Sequence, residues 1–456
     1  MRLEKAKLAP ASVVSCGSVL ILLLYMSIAF RRLTSTPTSL WESGFNFSFI
    51  GSIFLFVLLV GTASFLLLFH QFYSRDASFT YEFPLFILFA TFGYSLVIGC
   101  SSFITLYLSL ELSAFCLYIL AAMRRTSIFS TEAGLKYFLL GALASSFLLL
   151  GTSLLYGLGG SVRFEDWSIL IRHWGDLPET GLFWLALTLI GVGLLTKLSV
   201  APFHFWAPDV YDGAPAGVVA YFSSIAKIAP LASVAQLLYG PLFPLLPLFS
   251  SYLLVFGLLS VLVGTLGALK QQRIKRLLAY SGIAHSGYML LGIAVGHQLG
   301  LISALLYISV YVLLSIDFFA SIFSLVSYSG RKLRNVDNLL VVSRTSPLSS
   351  FFLASNLFSL AGIPPFAGFF PKFLILVSLV IQSYYISAVS LVIISVLATV
   401  YYVRLVRVIY FDRPMLWAFY RPPAQSTNFV SSASFFGNLL LLPFFSVFSL
   451  FFFAYV

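Results

Sequence analysis

Residues 194–206 read LLTKLSVAPFHFW, an apolar stretch in which Lys197 precedes Pro202 by five residues. Proline removes a backbone donor and disrupts the interior of a helix. Residues 361–374, AGIPPFAGFFPKFL, show a related arrangement with three prolines before Lys372. Exposed backbone at membrane depth survives only inside protein or beside a hydrated cavity. The two stretches therefore predict two broken helices within a membrane-embedded chain.

The composition of the whole chain also indicates a membrane. Of 456 residues, 60% are hydrophobic and 9% are charged, whereas soluble domains carry about a quarter charged residues. No long polar linker is present, so we expect one all-α polytopic membrane domain. A spanning helix needs about 20 apolar residues. By that rule the sequence predicts 13 spans, near 11–30, 46–70, 82–101, 103–122, 133–157, 181–206, 214–240, 246–269, 275–297, 301–326, 348–377, 383–411 and 433–454.

The basic residues predict how these spans are oriented. A net charge of +11 would indicate nucleic acid for a soluble protein, but here the basic residues lie between apolar runs and we expect no nucleic-acid partner. Alternating the loops across a membrane places 18 Lys and Arg residues on the side of the N-terminus. The opposite side has four, Arg31, Arg32, Arg163 and Arg172. By the positive-inside rule, the N-terminus belongs in the matrix or cytoplasm and the C-terminus lies opposite.

The two breaks also predict an internal repeat. Each lies on the fourth helix of a five-helix block, the first block being 82–240 and the second 246–411. Because five is an odd number, the blocks are expected to be inverted relative to each other in the membrane. Broken helices at matching positions of inverted repeats typically mark the ion site of a transporter. Residues 1–81 are predicted to form N-terminal spans, and 412–456 a loop and the last span.

Four ionisable side chains inside predicted spans are the main candidates for function, Glu111, Lys197, Lys227 and Lys372. Each costs about 2.5–3.5 kcal/mol at a helix centre on insertion scales. Removal from water favours the neutral form of a lysine, and a nearby carboxylate favours the charged form. A chain of such groups is suited to passing protons across a membrane. Lysines near helix ends can instead snorkel to the surface.

Four further side chains are weaker candidates. His204 and His285 suit a proton relay because histidine titrates near neutral pH, although a purely structural hydrogen bond explains them equally well. Lys136 lies near the start of a span beside Glu132, so snorkelling and a relay role both remain open. Asp317 is a second acidic candidate, for which a local polar contact is the alternative.

No cofactor or metal site is predicted within this chain. The five histidines are scattered without the paired spacing of a metal site. Three cysteines are too few for an iron–sulfur cluster that needs four thiolates. No glycine-rich phosphate loop follows a strand, so no nucleotide site is indicated either.

Four stretches resemble the antiporter-like membrane subunits of respiratory complex I, and the resemblance extends over about residues 80–415. They are STEAGLKYFLLGALASSFLLLG (130–151), LLTKLSVAPFHFWAPDVYDGAPAGV (194–218), IKRLLAYSGIAHSGYMLLG (274–292) and LAGIPPFAGFFPKFLIL (360–376). The resemblance implies a proton-translocating subunit of an NADH:ubiquinone oxidoreductase that carries out no redox chemistry itself. NADH, FMN, iron–sulfur clusters and ubiquinone are then expected on other subunits.

The resemblance also implies partners, a location and residue roles. The partners are other membrane-arm subunits, including adjacent antiporter-like ones, together with lipids. The location is the mitochondrial inner membrane, with the N-terminus in the matrix and the C-terminus in the intermembrane space. The family's glutamate–lysine pair, central lysine and outlet residue correspond here to Glu111, Lys197, Lys227 and Lys372. A lysine at the outlet favours the subunit 2 branch of the family.

One departure from the family is visible near the N-terminus. Full-length relatives have 14 spans, whereas this sequence predicts 13. The polar stretch RRLTSTPTSLWESGFN (31–46) occupies the place of the missing span. The repeats are unaffected, but the N-terminal surface towards neighbouring subunits is left in question.

Two other functions remain open at this point. A subunit of a multi-subunit sodium/proton antiporter would share the ancestry and the buried lysines. A structural membrane scaffold would use buried charges only to hold helices together. The scaffold does not account for broken helices at matching positions of two repeats.

Overall fold

A computed structural model describes residues 25, 39–40, 44–73, 82–173, 181–325, 334–340 and 342–412. Within these residues nearly every regular element is helical. The exception is a two-residue antiparallel strand pair, β1 (Ser39–Leu40) with β2 (Phe45–Asn46), in which Ser39 is opposite Asn46. The all-α prediction is confirmed apart from this short pair.

The chain divides into two compact units, Met1–Phe249 and Ser250–Val456. The first unit contains nine described α-helices and a 3₁₀ turn at Phe243–Leu245. The α-helices are α1 (Phe49–Tyr73), α2 (Glu82–Gly99), α3 (Phe103–Ala121), α4 (Ile128–Gly159), α5 (Phe164–His173), α6 (Gly181–Leu198), α7 (Trp206–Gly213), α8 (Ala216–Ser224) and α9 (Ile228–Tyr239).

The second unit begins within α10 (Leu246–Leu269). Its described elements also include a 3₁₀ turn at Val336–Leu339. The remaining α-helices are α11 (Ile274–Ala294), α12 (Gln298–Ser324), α13 (Val342–Thr345), α14 (Pro347–Ala361), α15 (Phe369–Ile381) and α16 (Tyr385–Tyr410).

The outer surfaces of these helices are apolar. On α4, Leu135, Leu139 and Leu143 share one face and are 62%, 64% and 49% exposed. Apolar surface in water costs about 25 cal/mol per Å², whereas lipid tails impose no such cost. Ten described helical segments, one of them formed by α8 and α9 together, are long and apolar enough to cross a membrane, and α14 and α15 are shorter apolar helices. The chain is a multi-pass membrane protein.

The predicted spans agree with the helices wherever the structure describes them. Each of the 11 spans predicted between 46 and 411 overlaps one or two of the described helices. Both predicted breaks are present, one between α6 and α7 and the other between α14 and α15. The predicted spans 11–30 and 433–454 lie outside the described residues, apart from Tyr25.

One interruption of a helix was not predicted. The span 214–240 is divided into α8 and α9 by a turn at 225–227, which places Lys227 at the start of α9. The Ala226 amide donates to the Tyr221 carbonyl at 3.2 Å and the Ile228 amide to the Ile225 carbonyl at 3.1 Å. Pro230 has no amide hydrogen to donate to the carbonyl four residues earlier, so the regular pattern fails here.

Small residues bring the first broken helix close to α4. A β-carbon on Gly151 would lie 2.7 Å from the Ala186 carbonyl oxygen, and one on Gly193 would lie 2.9 Å from the Ala144 carbonyl oxygen. Such close backbone approach is typical of helix pairs in membranes. It fixes α6, and with it the break, against α4.

Candidate functional site

The first broken helix, α6, ends in a compact backbone motif. The Ser199 amide donates to the Thr196 carbonyl at 3.0 Å, and the Val200 amide to the Leu195 carbonyl at 3.1 Å. Ser199 has a φ of 57°, so the ending is a Schellman motif with serine at the left-handed position. Across the break, the Trp206 indole donates from Nε1 to the Thr196 carbonyl at 2.9 Å. Several backbone carbonyls that lose their helical partners at the break therefore accept other hydrogen bonds.

Lys197, in the last turn of α6, reaches a tyrosine. Its Nζ lies 3.5 Å from the Tyr118 hydroxyl oxygen and 5.9 Å from the centre of that ring. Lys197 shares a cavity with Leu110, the chain neighbour of Glu111 on α3, but no ion pair within 4 Å joins Lys197 and Glu111 in the described part of the chain. The Glu111 Oε1 atom is buried and has no hydrogen-bond partner among the described residues. The structure thus places the predicted pair in the same neighbourhood but not in contact.

Lys227 and Lys197 line one small cavity of about 20 Å³. Lys227 is buried, with 3% of its surface exposed. Ser113, Ser199 and Tyr137, which carry hydroxyl groups, also line this cavity. Because a water molecule needs about 10–15 Å³ of such space, the cavity is large enough for water at the two amines.

Lys372, in the second unit, is held by backbone oxygens. Its Nζ donates to the Leu360 carbonyl at 2.9 Å and to the Ala361 carbonyl at 2.8 Å. These carbonyls end α14, where backbone acceptors lack intrahelical partners and the helix dipole is negative. The same Nζ lies 5.4 Å from the centre of the Tyr288 ring. One half of the broken helix therefore binds the lysine of the other half.

Gly362 lets this lysine approach. It has a φ of 81° and ends α14, with its amide 2.9 Å from the Ser359 carbonyl. The Ile363 amide donates to the Phe358 carbonyl at 3.1 Å, so both broken helices end in a Schellman motif. A β-carbon at Gly362 would lie 2.8 Å from Cδ and 2.9 Å from Nζ of Lys372.

His285 lies between two tyrosine hydroxyls. Nδ1 is 2.8 Å from the Tyr307 oxygen and Nε2 is 2.9 Å from the Tyr402 oxygen. A neutral imidazole has one donor and one acceptor nitrogen, so one tyrosine donates to the ring and the other accepts from it. His285, Tyr307 and Lys372 line a cavity of about 10 Å³, which is near the lower limit for one water molecule.

Lys136 lies in a different environment. It forms ion pairs with Glu132 at 2.8 Å and with Asp209 at 3.2 Å, and its side chain is 43% exposed. It lines neither of the two cavities described above. The structure therefore keeps it apart from the other candidates and leaves its relay role a prediction.

His204 and Asp317 are buried, but neither lines those cavities. The His204 ring stacks on Phe205 at 4.7 Å between centres. Asp317 Oδ2 accepts a hydrogen bond at 2.9 Å from Asn356, which also donates to the Leu314 carbonyl. Asp317 thus takes part in a polar link between α12 and α14, and its relay role stays a prediction.

Known proteins are similar to this chain in sequence and in architecture. The sequence profile described as NADH:quinone oxidoreductase/Mrp antiporter, TM, matches residues 100–399. NADH-quinone oxidoreductase subunit N of Paramagnetospirillum magneticum is 40% identical over 363 residues, which cover 79% of this chain and 74% of the relative. This chain belongs to the NADH:quinone oxidoreductase/Mrp antiporter family of membrane subunits. NADH-ubiquinone oxidoreductase chain 2 of Marchantia polymorpha is 36% identical over 381 residues, 83% of this chain and 76% of the relative.

The fold is found in a solved respiratory complex. The structure of respiratory complex I from Thermus thermophilus with bound aureothin contains a chain with a TM-score of 0.79 and 30% identity. The match covers 97% of each chain. The resemblance to antiporter-like complex I subunits, inferred from four sequence stretches, is confirmed.

The tyrosines beside the candidate residues were not predicted. Tyr118 follows Glu111 by seven residues on α3, about two helical turns, so the two share a face. A buried tyrosine usually finds a hydrogen-bond partner, so this spacing was a usable signal. Tyr402 is 117 residues from His285, and no local pattern links them.

Proposed function

We propose that this chain is a proton-translocating membrane-arm subunit of complex I, of the subunit 2 type. It couples NADH-to-ubiquinone electron transfer in other subunits to proton movement through buried lysines. The observation that carries the proposal is that Lys197 and Lys227 line the same small cavity. The names of the relatives, NADH-quinone oxidoreductase subunit N and NADH-ubiquinone oxidoreductase chain 2, support it.

Two amines at one water-sized cavity can exchange a proton. A charged amine donates hydrogen bonds only, and a neutral amine accepts a proton through its lone pair. Like charges placed close together disfavour each other. A proton that arrives on Lys227 therefore favours discharge of Lys197, while the negative charge of Glu111 opposes that discharge. Changing the distance between Glu111 and Lys197 would thus load and unload the site.

The second unit supplies its own proton-exchanging group. Lys372 lies on two carbonyls, and His285 shares its cavity and contacts two hydroxyls. Histidine exchanges protons near neutral pH. We assign Lys372 the outlet role and His285 a relay role within this unit.

The proposal extends to cofactors, partners and location. NADH, FMN, iron–sulfur clusters and ubiquinone bind to other subunits of the complex. Adjacent antiporter-like subunits and lipids contact this chain. The 18-to-4 distribution of basic residues supports an N-terminus on the matrix side of the mitochondrial inner membrane. The equivalent location in a bacterium is the cytoplasmic membrane.

The sodium/proton antiporter is the second candidate, because the matching profile describes both NADH:quinone oxidoreductases and Mrp antiporters. Purification of the chain with its native neighbours separates the two. Co-purifying flavin and iron–sulfur subunits support complex I, and an assembly without them contradicts it. A pure scaffold is disfavoured, because a scaffold would pair its opposite charges directly and Lys197 contacts a neutral hydroxyl instead.

The test of proton transfer is replacement of Lys227 by Met in the assembled complex. Methionine keeps much of the length and removes the titratable amine. We expect assembly to survive while NADH oxidation coupled to proton pumping falls severalfold. Lys270→Met is the matched control, because Lys270 is an exposed loop lysine. Unchanged turnover and pumping in Lys227→Met would reject the relay role.

A further inference from the structure

We infer that the Tyr118 hydroxyl is a second partner of the Lys197 amine, one that competes with Glu111 and at which the amine can release its proton. The inference rests on the proposed function and adds a positioning residue to it. In the described part of the chain, the amine contacts the hydroxyl at 3.5 Å and forms no ion pair with Glu111. A contact of this length is a weak hydrogen bond, so the amine can leave it readily.

The position of the hydroxyl is fixed by packing. Three rings meet the Tyr118 ring nearly edge-on, Tyr137 at 4.9 Å, Phe138 at 5.6 Å and Phe115 at 6.2 Å between centres. On the facing helix α4, Gly141 leaves room for the phenol, because a β-carbon there would overlap the hydroxyl oxygen. The tyrosine is therefore rigid, and the long lysine side chain is the part that moves.

The two partners favour different charge states of the amine. A carboxylate only accepts hydrogen bonds, so Glu111 favours the charged ammonium. A hydroxyl accepts from an ammonium and also donates to the lone pair of a neutral amine. At Tyr118 the lysine therefore keeps a partner before and after it loses its proton.

The groups around this contact can accept the proton that Lys197 releases and can bind the amine when it is charged again. The cavity lined by Lys197 and Lys227 is large enough for water, so a released proton has an acceptor. The Glu111 Oε1 atom, buried and without a hydrogen-bond partner among the described residues, is available to accept from the amine when it returns. The amine thus moves between a charging partner, Glu111, and a releasing partner, Tyr118.

The test compares variants of the whole complex reconstituted in vesicles. Tyr118→Phe keeps the packed ring and removes the hydroxyl. We expect NADH-driven proton pumping to fall about threefold to tenfold, which is the factor that corresponds to the loss of one neutral hydrogen bond. Gly141→Ala keeps the hydroxyl but displaces it, and should cause a similar fall. Gly157→Ala on the same helix is the control, because a β-carbon there lies within 4 Å of no neighbouring atom among the described residues.

A double variant separates competition from simple structural damage. Glu111→Gln removes the competing charge, so loss of the hydroxyl should then matter less. We expect the loss in Tyr118→Phe/Glu111→Gln to be smaller than the product of the single losses by at least about threefold. Multiplicative losses would overturn the inference, as would normal pumping in Tyr118→Phe when Lys197→Met is impaired. Normal pumping in Lys197→Met would instead overturn the proposed function.

Discussion

At the scale of single residues, neutral oxygen atoms contact two of the buried amines. Lys197 faces a hydroxyl, and Lys372 faces two backbone carbonyls. Hydrogen bonds to charged groups contribute about 1.5–3 kcal/mol, roughly twice the value for neutral pairs. A lysine fixed on a carboxylate would therefore hold its proton more firmly. The Tyr118 hydroxyl can also donate to a neutral amine, so Lys197 keeps a partner in either charge state, whereas the two carbonyls only accept and favour the charged ammonium of Lys372.

Glu111 is the residue whose charge can bias that change. Glu111→Gln keeps the shape and removes the charge, so Lys197 should favour its neutral form and fail to reload. We expect rotenone-sensitive NADH oxidation and proton uptake to fall by up to about tenfold, the equivalent of 1.4 kcal/mol. Glu111→Asp should retain part of the activity, because the charge remains and only the reach shortens.

The control for this pair is Glu165→Gln, which removes an exposed carboxylate from α5 in the same unit. It should leave both rates unchanged. Normal pumping in Glu111→Gln would contradict the electrostatic role, and so would an Asp variant as impaired as the Gln variant.

At the scale of the helix, the ends of the broken helices are the informative elements. Both end in a Schellman motif, with Ser199 in one and Gly362 in the other. A left-handed residue with a β-carbon costs about 1–2 kcal/mol. Ser199 carries that cost, whereas Gly362 avoids it and also makes room for Lys372.

Gly362→Ala should therefore damage the second unit in two ways. It adds about 1–2 kcal/mol of left-handed strain, and it forces the Lys372 amine away from its carbonyls. We expect a lower midpoint temperature for loss of the chain from the detergent-solubilised complex, together with reduced pumping. Gly191→Ala on α6 is the control, because a β-carbon there has no neighbouring atom within 4 Å in the part of the chain that the structure describes. Equal midpoints for the two variants would contradict this account of Gly362.

The same scale shows what the sequence could predict. Proline marks a break locally, because the missing amide hydrogen belongs to the residue itself, so Pro202 and Pro364 indicated both broken helices. The turn before Pro230 follows the same rule, but it was not predicted because it lies inside an uninterrupted apolar run. Contacts such as His285 with Tyr402 depend on how distant helices pack, and helical periodicity gives no distances between helices.

At the scale of the whole chain, the described part of each compact unit contains a helix broken where the sequence predicted it and a cavity lined by lysine. The sequence predicted a broken helix in each half, with Lys197 and Lys227 buried in the first half and Lys372 in the second, because charges and prolines are costly inside apolar helices. It did not predict the cavities, which depend on side-chain packing. The inverted orientation of blocks 82–240 and 246–411 stays a prediction.

The orientation of the chain in the membrane is the last prediction. An extra or missing span would interchange the sides of all later loops and destroy the 18-to-4 distribution of basic residues. Single cysteines at Lys5 and Lys270 should therefore react with an impermeant thiol reagent from the matrix or cytoplasmic face. Cysteines at Arg163 and Val456 should react only from the opposite face. All four belong in a background without native cysteines, and Lys270 and Arg163 are exposed. If the cysteines introduced at Lys5 and Val456 both react from the same face, the number of spans is even and the predicted topology is wrong.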